Sequence, residues 1–439
     1  ALGYWVIGLF GTKYPRLLSR DDIENEEPAI NTDTVAGGIE YRDGILVDND
    51  ARFVFSFVRS AIEAGASAVN YVEMVSAERV GDKWVAALRC TDTGEEFTTF
   101  ATTIVNAAGP FVDDTNQQWG LKTEHRIVYS KGIHLVVPRI TTHRHHKVLA
   151  FYDDTERLFY VIPMGRRSVI GTTDTRVDTP FTEVDQDDID FLLGQINARL
   201  DLATPLTKED IIAERSGVRP LVVAAGKGDQ NDVDWTKLSR KHAVEVDTDQ
   251  HVVTIFGGKL TDCLNVGEEV AAEIEALGIP LEKDLHNWYG EPDKATRKEF
   301  FRQARLMRLD DLREKPDTEA LSDRLWRRYG RRAFAMLEEI RQDPKMADDI
   351  MGSADYLRVE LYSAADSEMI TKLEDFMRRR SKIELVVRDE DIRNSAGLRE
   401  VAIILFGDDA NRRLAEYFGG EDRVPDAVRN GPMPADVLT

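Results

Sequence analysis

The sequence predicts a mixed α/β protein of the α+β kind, built in two parts, and three observations carry that prediction. Apolar runs of strand length, separated by turn signals, fill residues 67–175, as antiparallel strands do. A further apolar run breaks on Gly257, Gly258 and Lys259 and restarts with helical spacing. From about 291 to 418 almost every segment has helical period and a charged face. The expected division is therefore 1–285, mixed, and 291–418, all-α, joined through "KDLHNWYGEP".

Residues 1–50 read as loop-rich, broken by "EEPAIN" and "GGIEYRDG". A helix follows in "DNDARFVFSFVRSAIEAGA", with Ala51, Phe55, Val58 and Ile62 on one face. Asp48, Asn49 and Asp50 offer caps and Gly65 a stop. "SAVNYV" reads as the strand of a helix-then-strand step. A meander then runs through "EMVSAERV", "KWVAALRC" and "EEFTTFA" into a buried strand, "TIVNA", that stops on Gly109 and Pro110. The block 127–175 is antiparallel β, and a helix over 184–200 carries Ile189, Leu192, Ile196 and Leu200 on one face. After the seam, Val266, Val270, Ile274 and Leu277 form a helix face capped by Thr261 or Asp262 and ended by Gly278 and Pro280. The Pro/Gly-punctuated tail after 418 is expected to fray.

With 42% apolar and 31% charged residues the composition is that of a soluble globular protein. Lys and Arg number 57 against 79 Asp and Glu, a net charge of −22, which argues against general nucleic-acid binding. Two distant cysteines, Cys90 and Cys263, do not make a disulfide scaffold and suit a reducing cytoplasm. No run of eighteen apolar residues exists to form a membrane span. The opening "ALGYWVIGLFG" is expected to be buried, with contact to a membrane surface as the lesser reading. A start on Ala rather than Met suggests sequence upstream of it.

No G-x-G-x-x-G occurs, and the phosphate-loop pattern fails because residue 253 is Val and residue 260 is Leu. The seam still brings glycines and Lys259 to a helix N-terminus, which suits a group that is or becomes anionic; a tight turn with a solvated lysine is the alternative. On "KGIHLVVPR", His134 faces opposite to Ile133 and Leu135. Thr172, Thr173 and Asp174 end a strand, to close a turn or to meet a ligand. Arg219, among Val218, Pro220 and Leu221, needs an anion: an internal carboxylate or a substrate. His143, His145 and His146 lack carboxylate company and read as a surface loop, so no metal is expected. The basic runs 326–332 and 378–382 read as solvated helix faces, with an anionic membrane as the other possibility.

Taken in order, "YRDGILVDNDARFV", "IVNAAGPFVDD", "KGIHLVVPR", "FYVIPMGRRSVIGTTDT", "SGVRPL" and "FGGKLTD" resemble the FAD-dependent glycerol-3-phosphate dehydrogenases and the related α-glycerophosphate oxidases. The resemblance covers about residues 10–280, and the block 290–410 is similar to that family's C-terminal domain. It implies an FAD-binding fold of the glutathione-reductase/D-amino-acid-oxidase type, interleaved with an antiparallel substrate domain. The family's N-terminal strand–GxGxxG–helix unit is not in this sequence, and Asp262 stands where the family has a second Thr. Hence weak or no flavin binding is expected of these 439 residues alone.

Carried onto matching positions, the resemblance makes Arg219 and Lys259 binders of the substrate phosphate or hydroxyls, with Thr172 lining the pocket. His134 and Lys259 compete as catalytic base. Ala108, Gly109, Gly257, Gly258, Leu260 and Thr261 contact the flavin. The implied reaction is oxidation of sn-glycerol 3-phosphate to dihydroxyacetone phosphate, with electrons passing from FAD to quinone. The implied setting is cytoplasmic and peripheral to the inner membrane, as a possible homodimer. The other readings are an oxidase using O2, an amine or amino-acid oxidase with Arg219 on a carboxylate, and a non-catalytic binding protein.

Overall fold

The computed structural model describes residues 14–42, 44–140, 147–152, 157–225, 241–282, 291–312, 319–351 and 354–431. The apolar start, the three histidines at 143–146, most of the joining segment and the last eight residues lie outside that description.

A small antiparallel pair, β1 (Arg16–Leu18) and β2 (Gly38–Glu40), flanks helix α1 (Arg20–Glu26), which starts on a Ser19–Asp22 capping box. Helix α2 (Asp50–Glu63) begins where the Asn49 side chain accepts from the Arg52 amide. Its buried residues are Arg52 and Phe55, whereas Ile62 is 39% exposed. The apolar stripe is thus only half used, because α2 is also held by the charge of Arg52. The strand after it starts at Val72, later than "SAVNYV" suggested. β3 (Val72–Val80), β4 (Lys83–Cys90) and β5 (Glu96–Ala101) form an antiparallel meander.

β6 (Ile104–Asn106) leaves that meander and pairs in parallel with β14 (Val252–Phe256), which pairs in turn with β13 (Ala243–Asp247). Expected to be buried, β6 hides Asn106 but leaves Val105 37% exposed, since only one of its edges is paired among the described residues. Helix α3 (Val112–Gln118) packs beneath, with Val112 fully buried against Phe256 and Ile127.

The largest sheet is organised by β7 (His125–Pro138), joined by β8 (Leu149–Tyr152), β9 (Leu158–Met164), β10 (Arg167–Gly171), β11 (Thr175–Val177) and β12 (Ala213–Ala224). One edge of β7 pairs with β12 along its length, Val136 with Ala213 through to His125 with Ala224. The other edge is shared: β10 covers Pro138 to His134 and β11 covers Lys131 to Tyr129. Ile133, Leu135 and Val137 face the core with Leu192 and Ile196 of helix α4 (Gln186–Arg199). Lys131, on that same side, is buried between Asp185 and Asp188, at 2.9 and 2.6 Å. Strand alternation then gives Ser130, Gly132 and His134 to the opposite face.

Helix α5 (Cys263–Ala276) follows the seam, and none of its side chains is fully buried. The helical part comprises α6 (Lys294–Leu306), α7 (Leu321–Tyr329), α8 (Ala333–Gln342), α9 (Arg358–Ser367), α10 (Ile383–Val386), α11 (Asp389–Arg393), α12 (Gly397–Phe406), α13 (Ala410–Phe418) and α14 (Asp426–Arg429). Order therefore extends past 418, with Val428 fully buried. Two apolar clusters, around Phe300–Leu325–Leu337 and around Tyr356–Phe376–Val401, fill it.

The basic runs are only partly solvated faces: Arg331 and Arg378 are exposed, but other members are enclosed. Arg328 is buried on Asp48 at 3.0 Å and Glu360 at 2.7 Å, and Arg332 meets Glu63 of α2. Arg380 is buried over the Phe55 ring and donates to the Glu368 carbonyl. Arg328, Arg332 and Arg380 thus join the two parts of the chain.

Candidate active site

The shared edge of β7 has a gap. After Gly171 the chain leaves β10, passes through Thr172, Thr173 and Asp174, and returns as β11 at Thr175. In the gap the Ile133 amide donates to the Thr173 hydroxyl at 3.1 Å, so the free strand edge is satisfied by a side chain.

Above this gap the sheet face presents His134 in register with Arg215, Gly132 with Gly217, and Ser130 with Arg219. The central glycines make a trough between two arginines. Arg219 folds into it: a Cβ on Gly132 would lie 2.3 Å from its Nη2. From there Nη2 donates to the Thr172 hydroxyl at 2.8 Å, Nη1 faces the Thr173 carbonyl at 3.4 Å, and Asp174 lies 3.7 Å away. The expected internal carboxylate is thus present, but the shorter hydrogen bond goes to a neutral hydroxyl. Gly171 does for His134 what Gly132 does for Arg219, since a Cβ there would sit 2.6 Å from the imidazole Cδ2. Burial, then Arg215 and Arg219, push His134 down to about 4, against a smaller opposing pull from Asp50. The ring is therefore neutral at physiological pH.

The seam reaches this face from the side. Gly257 has φ of 61°, and a Cβ on it would meet Val222 at 2.4 Å and the Pro220 carbonyl at 3.2 Å. The glycine thus lets the seam abut β12 one residue past Arg219, a packing reason that the sequence did not show. Lys259, Leu260 and Thr261 are exposed, and Lys259 precedes the short turn Leu260–Asp262. Neither candidate cap closes α5: Asp262 occupies the N-cap position without a side-chain capping bond. A shallow hollow of about 450 Å³ lies here, between Ile255, Gly258, Lys259, Leu260, Cys263 and Val266. Ala108 and Gly109 follow β6, the parallel neighbour of β14, and next to them the Tyr129 hydroxyl donates to the Pro110 carbonyl at 2.9 Å while Tyr129 pairs with Pro220.

His134, Thr172 and Arg219 thus form one cluster, with Lys259 and the glycine seam beside it. The sequence reading missed Arg215, Asp50 and the trough glycines. Arg215 pairs with Asp50 at 3.1 Å, and Asp50 is the last of three consecutive residues at the start of α2 that have separate duties. Asp48 holds Arg328, and the Asn49 amide donates to the Ser381 carbonyl at 2.8 Å. The signal was present as "DND", but cap chemistry explained it too easily.

The hollow fits the ring end of a flavin: apolar walls accept a flat ring, while the N-terminus of α5 and Lys259 offer positive potential at its rim. The described residues show no pyrophosphate-binding glycine turn, and none occurs in the sequence. Cys90 and Cys263 are not bridged. Among the described residues no helix is long and apolar enough to cross a membrane, and no metal-binding cluster occurs.

Residues 7–239 match the FAD dependent oxidoreductase family, and 312–405 match the C-terminal domain of alpha-glycerophosphate oxidase. The chain is 30% identical over 424 residues to glycerol-3-phosphate dehydrogenase 2 of Mycobacterium tuberculosis, covering 93% of this chain and 68% of that protein. It is 30% identical over 272 residues to the mitochondrial glycerol-3-phosphate dehydrogenase of Bos taurus, covering 60% of this chain and 36% of that protein. The fold is that of the Bacillus halodurans glycerol-3-phosphate dehydrogenase solved with FAD, at a TM-score of 0.69 and 21% identity over 94% of this chain and 83% of that one. The chain belongs to the FAD-dependent oxidoreductase family, in its glycerol-3-phosphate dehydrogenase branch.

Proposed function

We propose that this chain oxidises sn-glycerol 3-phosphate to dihydroxyacetone phosphate with FAD and passes the electrons to quinone. The observation that carries the substrate assignment is the arginine-flanked glycine trough, with neutral His134 at one end and the Lys259 seam beside it. The names of the curated relatives support the same substrate.

Bound FAD supplies the hydride acceptor. Ala108, Gly109 and the stretch Gly257–Thr261 would hold its ring end, and the N-terminus of α5 would offer that end a partial positive charge. Arg219, braced by Thr172, and Lys259 bind the phosphate and orient the secondary alcohol. His134 accepts the hydroxyl proton. A base pushed down to about 4 is weak, but a phosphate dianion set against Arg215 and Arg219 offsets the charges that lower it. The substrate thus helps to make its own base. A quinone acceptor partitions into lipid, which supports peripheral attachment on the cytoplasmic side of the inner membrane. The cationic groove of Lys294, Lys298 and Arg305 around Phe301 on α6 suits such a surface.

The deciding experiment adds glycerol 3-phosphate anaerobically to flavin-loaded protein and follows flavin bleaching. Bound flavin that stays oxidised sinks the proposal. Peroxide under air, in place of quinone-analogue reduction, would select the oxidase reading, and sedimentation with anionic vesicles tests attachment.

A further inference from the structure

His242 precedes β13 and lies on the seam, where a Cβ on Gly258 would be 3.2 Å from its own Cβ. Its side chain, 16% exposed, has a carboxylate at each ring nitrogen: Asp262 Oδ2 is 2.8 Å from Nδ1 and Glu269 Oε2 is 2.8 Å from Nε2. Both carboxylates belong to the opening turns of α5. Asp262 is the residue that departs from the family pattern, and it does not cap the helix. Its second oxygen instead accepts from the Asn265 amide at 2.6 Å.

A neutral imidazole carries one N–H and can satisfy one carboxylate, whereas the imidazolium donates to both. We infer that His242, as imidazolium, is a positioning residue that clamps α5 to β13 and so fixes the Gly257–Lys259 seam between them. The charged groups facing the clamp are Asp262 and Glu269, with Lys259 acting on Asp262 from the seam itself. Glu269, then Asp262, raise the His242 pKa against the opposing effect of burial. The clamp is therefore closed in acid and opens as pH rises through that raised value. This inference rests on the seam seating the flavin edge, but its geometry does not depend on which alcohol is oxidised.

The test is amide hydrogen exchange of the full chain, with flavin added, at residues 257–262 between about pH 6 and pH 9, corrected for intrinsic rates. Protection should fall about tenfold across that range in the wild type. In His242→Gln it should be low and independent of pH. In Glu269→Gln, a change at a partly exposed surface carboxylate, the midpoint should move down. The same His242 midpoint should appear in an NMR titration of labelled histidine. Equal seam protection at both ends of the range, or a Glu269→Gln midpoint that does not move, overturns the clamp. Exchange is read without substrate, so a protein inert toward glycerol 3-phosphate could still show the clamp, and an active one could lack it.

Discussion

Arginine does two different jobs in the two halves of this molecule. In the helical part, the Arg328 side chain is 1% exposed and sits on two carboxylates, Asp48 and Glu360, while Arg324 meets Glu360 at 3.1 Å. Arg52 of α2, its side chain 7% exposed, reaches across to Glu368 of that part at 3.0 Å. On the sheet face Arg215 and Arg219 are each 30% exposed; Arg215 meets Asp50 at 3.1 Å, and the contacts of Arg219 include the Thr172 hydroxyl, the Thr173 carbonyl and Asp174. A fully enclosed guanidinium must be matched by fixed carboxylates, and that matching leaves it structural. One that opens to solvent over a glycine trough keeps positive potential for a visiting anion. Enclosure and partners, which separate Arg328 from Arg219, are not visible in the density of basic residues along the chain.

The largest effect is expected where the match is tightest. Glu360 is fully enclosed; burial pushes its pKa up, but Arg324 and Arg328 outweigh this and hold it below the usual range. Glu360→Ala should cost about 3–5 kcal/mol of stability, read by urea unfolding, because buried Arg324 loses this carboxylate and buried Arg328 loses one of its two. The folded fraction should keep its KM. Arg219→Ala should do the reverse, lowering kcat/KM about 10²–10³-fold with an unchanged unfolding midpoint. If Arg219→Ala unfolds the protein instead, the contrast between the two halves fails.

Stability should also follow pH through His134. Its folded pKa of about 4 lies below the ordinary histidine value of 6.5, so the unfolded chain takes up the proton first. The contribution is complete above 6.5 and is lost as pH falls from 6.5 toward 4, on the order of 1–3 kcal/mol for this largely enclosed ring. His134→Asn should flatten that acid limb in unfolding curves taken across the window.

The smallest change is the sharpest. Gly132→Ala puts a methyl where the Arg219 guanidinium now lies, and that flexible end can move aside. Folding should survive within about 1 kcal/mol, while KM for glycerol 3-phosphate rises about tenfold. An unchanged KM would show that the trough does not set the position of Arg219.

Much of the architecture was legible. The antiparallel block from 127 to 175, the helix ending near Leu200 and the helical C-terminal part follow from period and turn residues, which are local properties. The opposition of His134 to Ile133 and Leu135 followed from strand alternation alone. Burial was less legible, because it depends on what lies alongside. β6 reads as a core strand yet is half open, and α5 has an amphipathic pattern yet fully buries none of its side chains.

The sequence by itself determined the family and the helical and antiparallel parts, and it named His134, Thr172, Arg219 and Lys259 as candidates, since motif order and local period are written along the chain. Tertiary structure decided which of them meet. Register placed Arg219 over Gly132 and Arg215 beside His134, and the missing side chain of Gly257 let the seam abut β12. It also gave "DND" duties beyond the Asn49 cap, with Asp48 and Asn49 reaching Arg328 and Ser381 of the helical part and Asp50 reaching Arg215 on the sheet. Such pairings join residues hundreds of positions apart, and their energies depend on enclosure and distance, which no local pattern records.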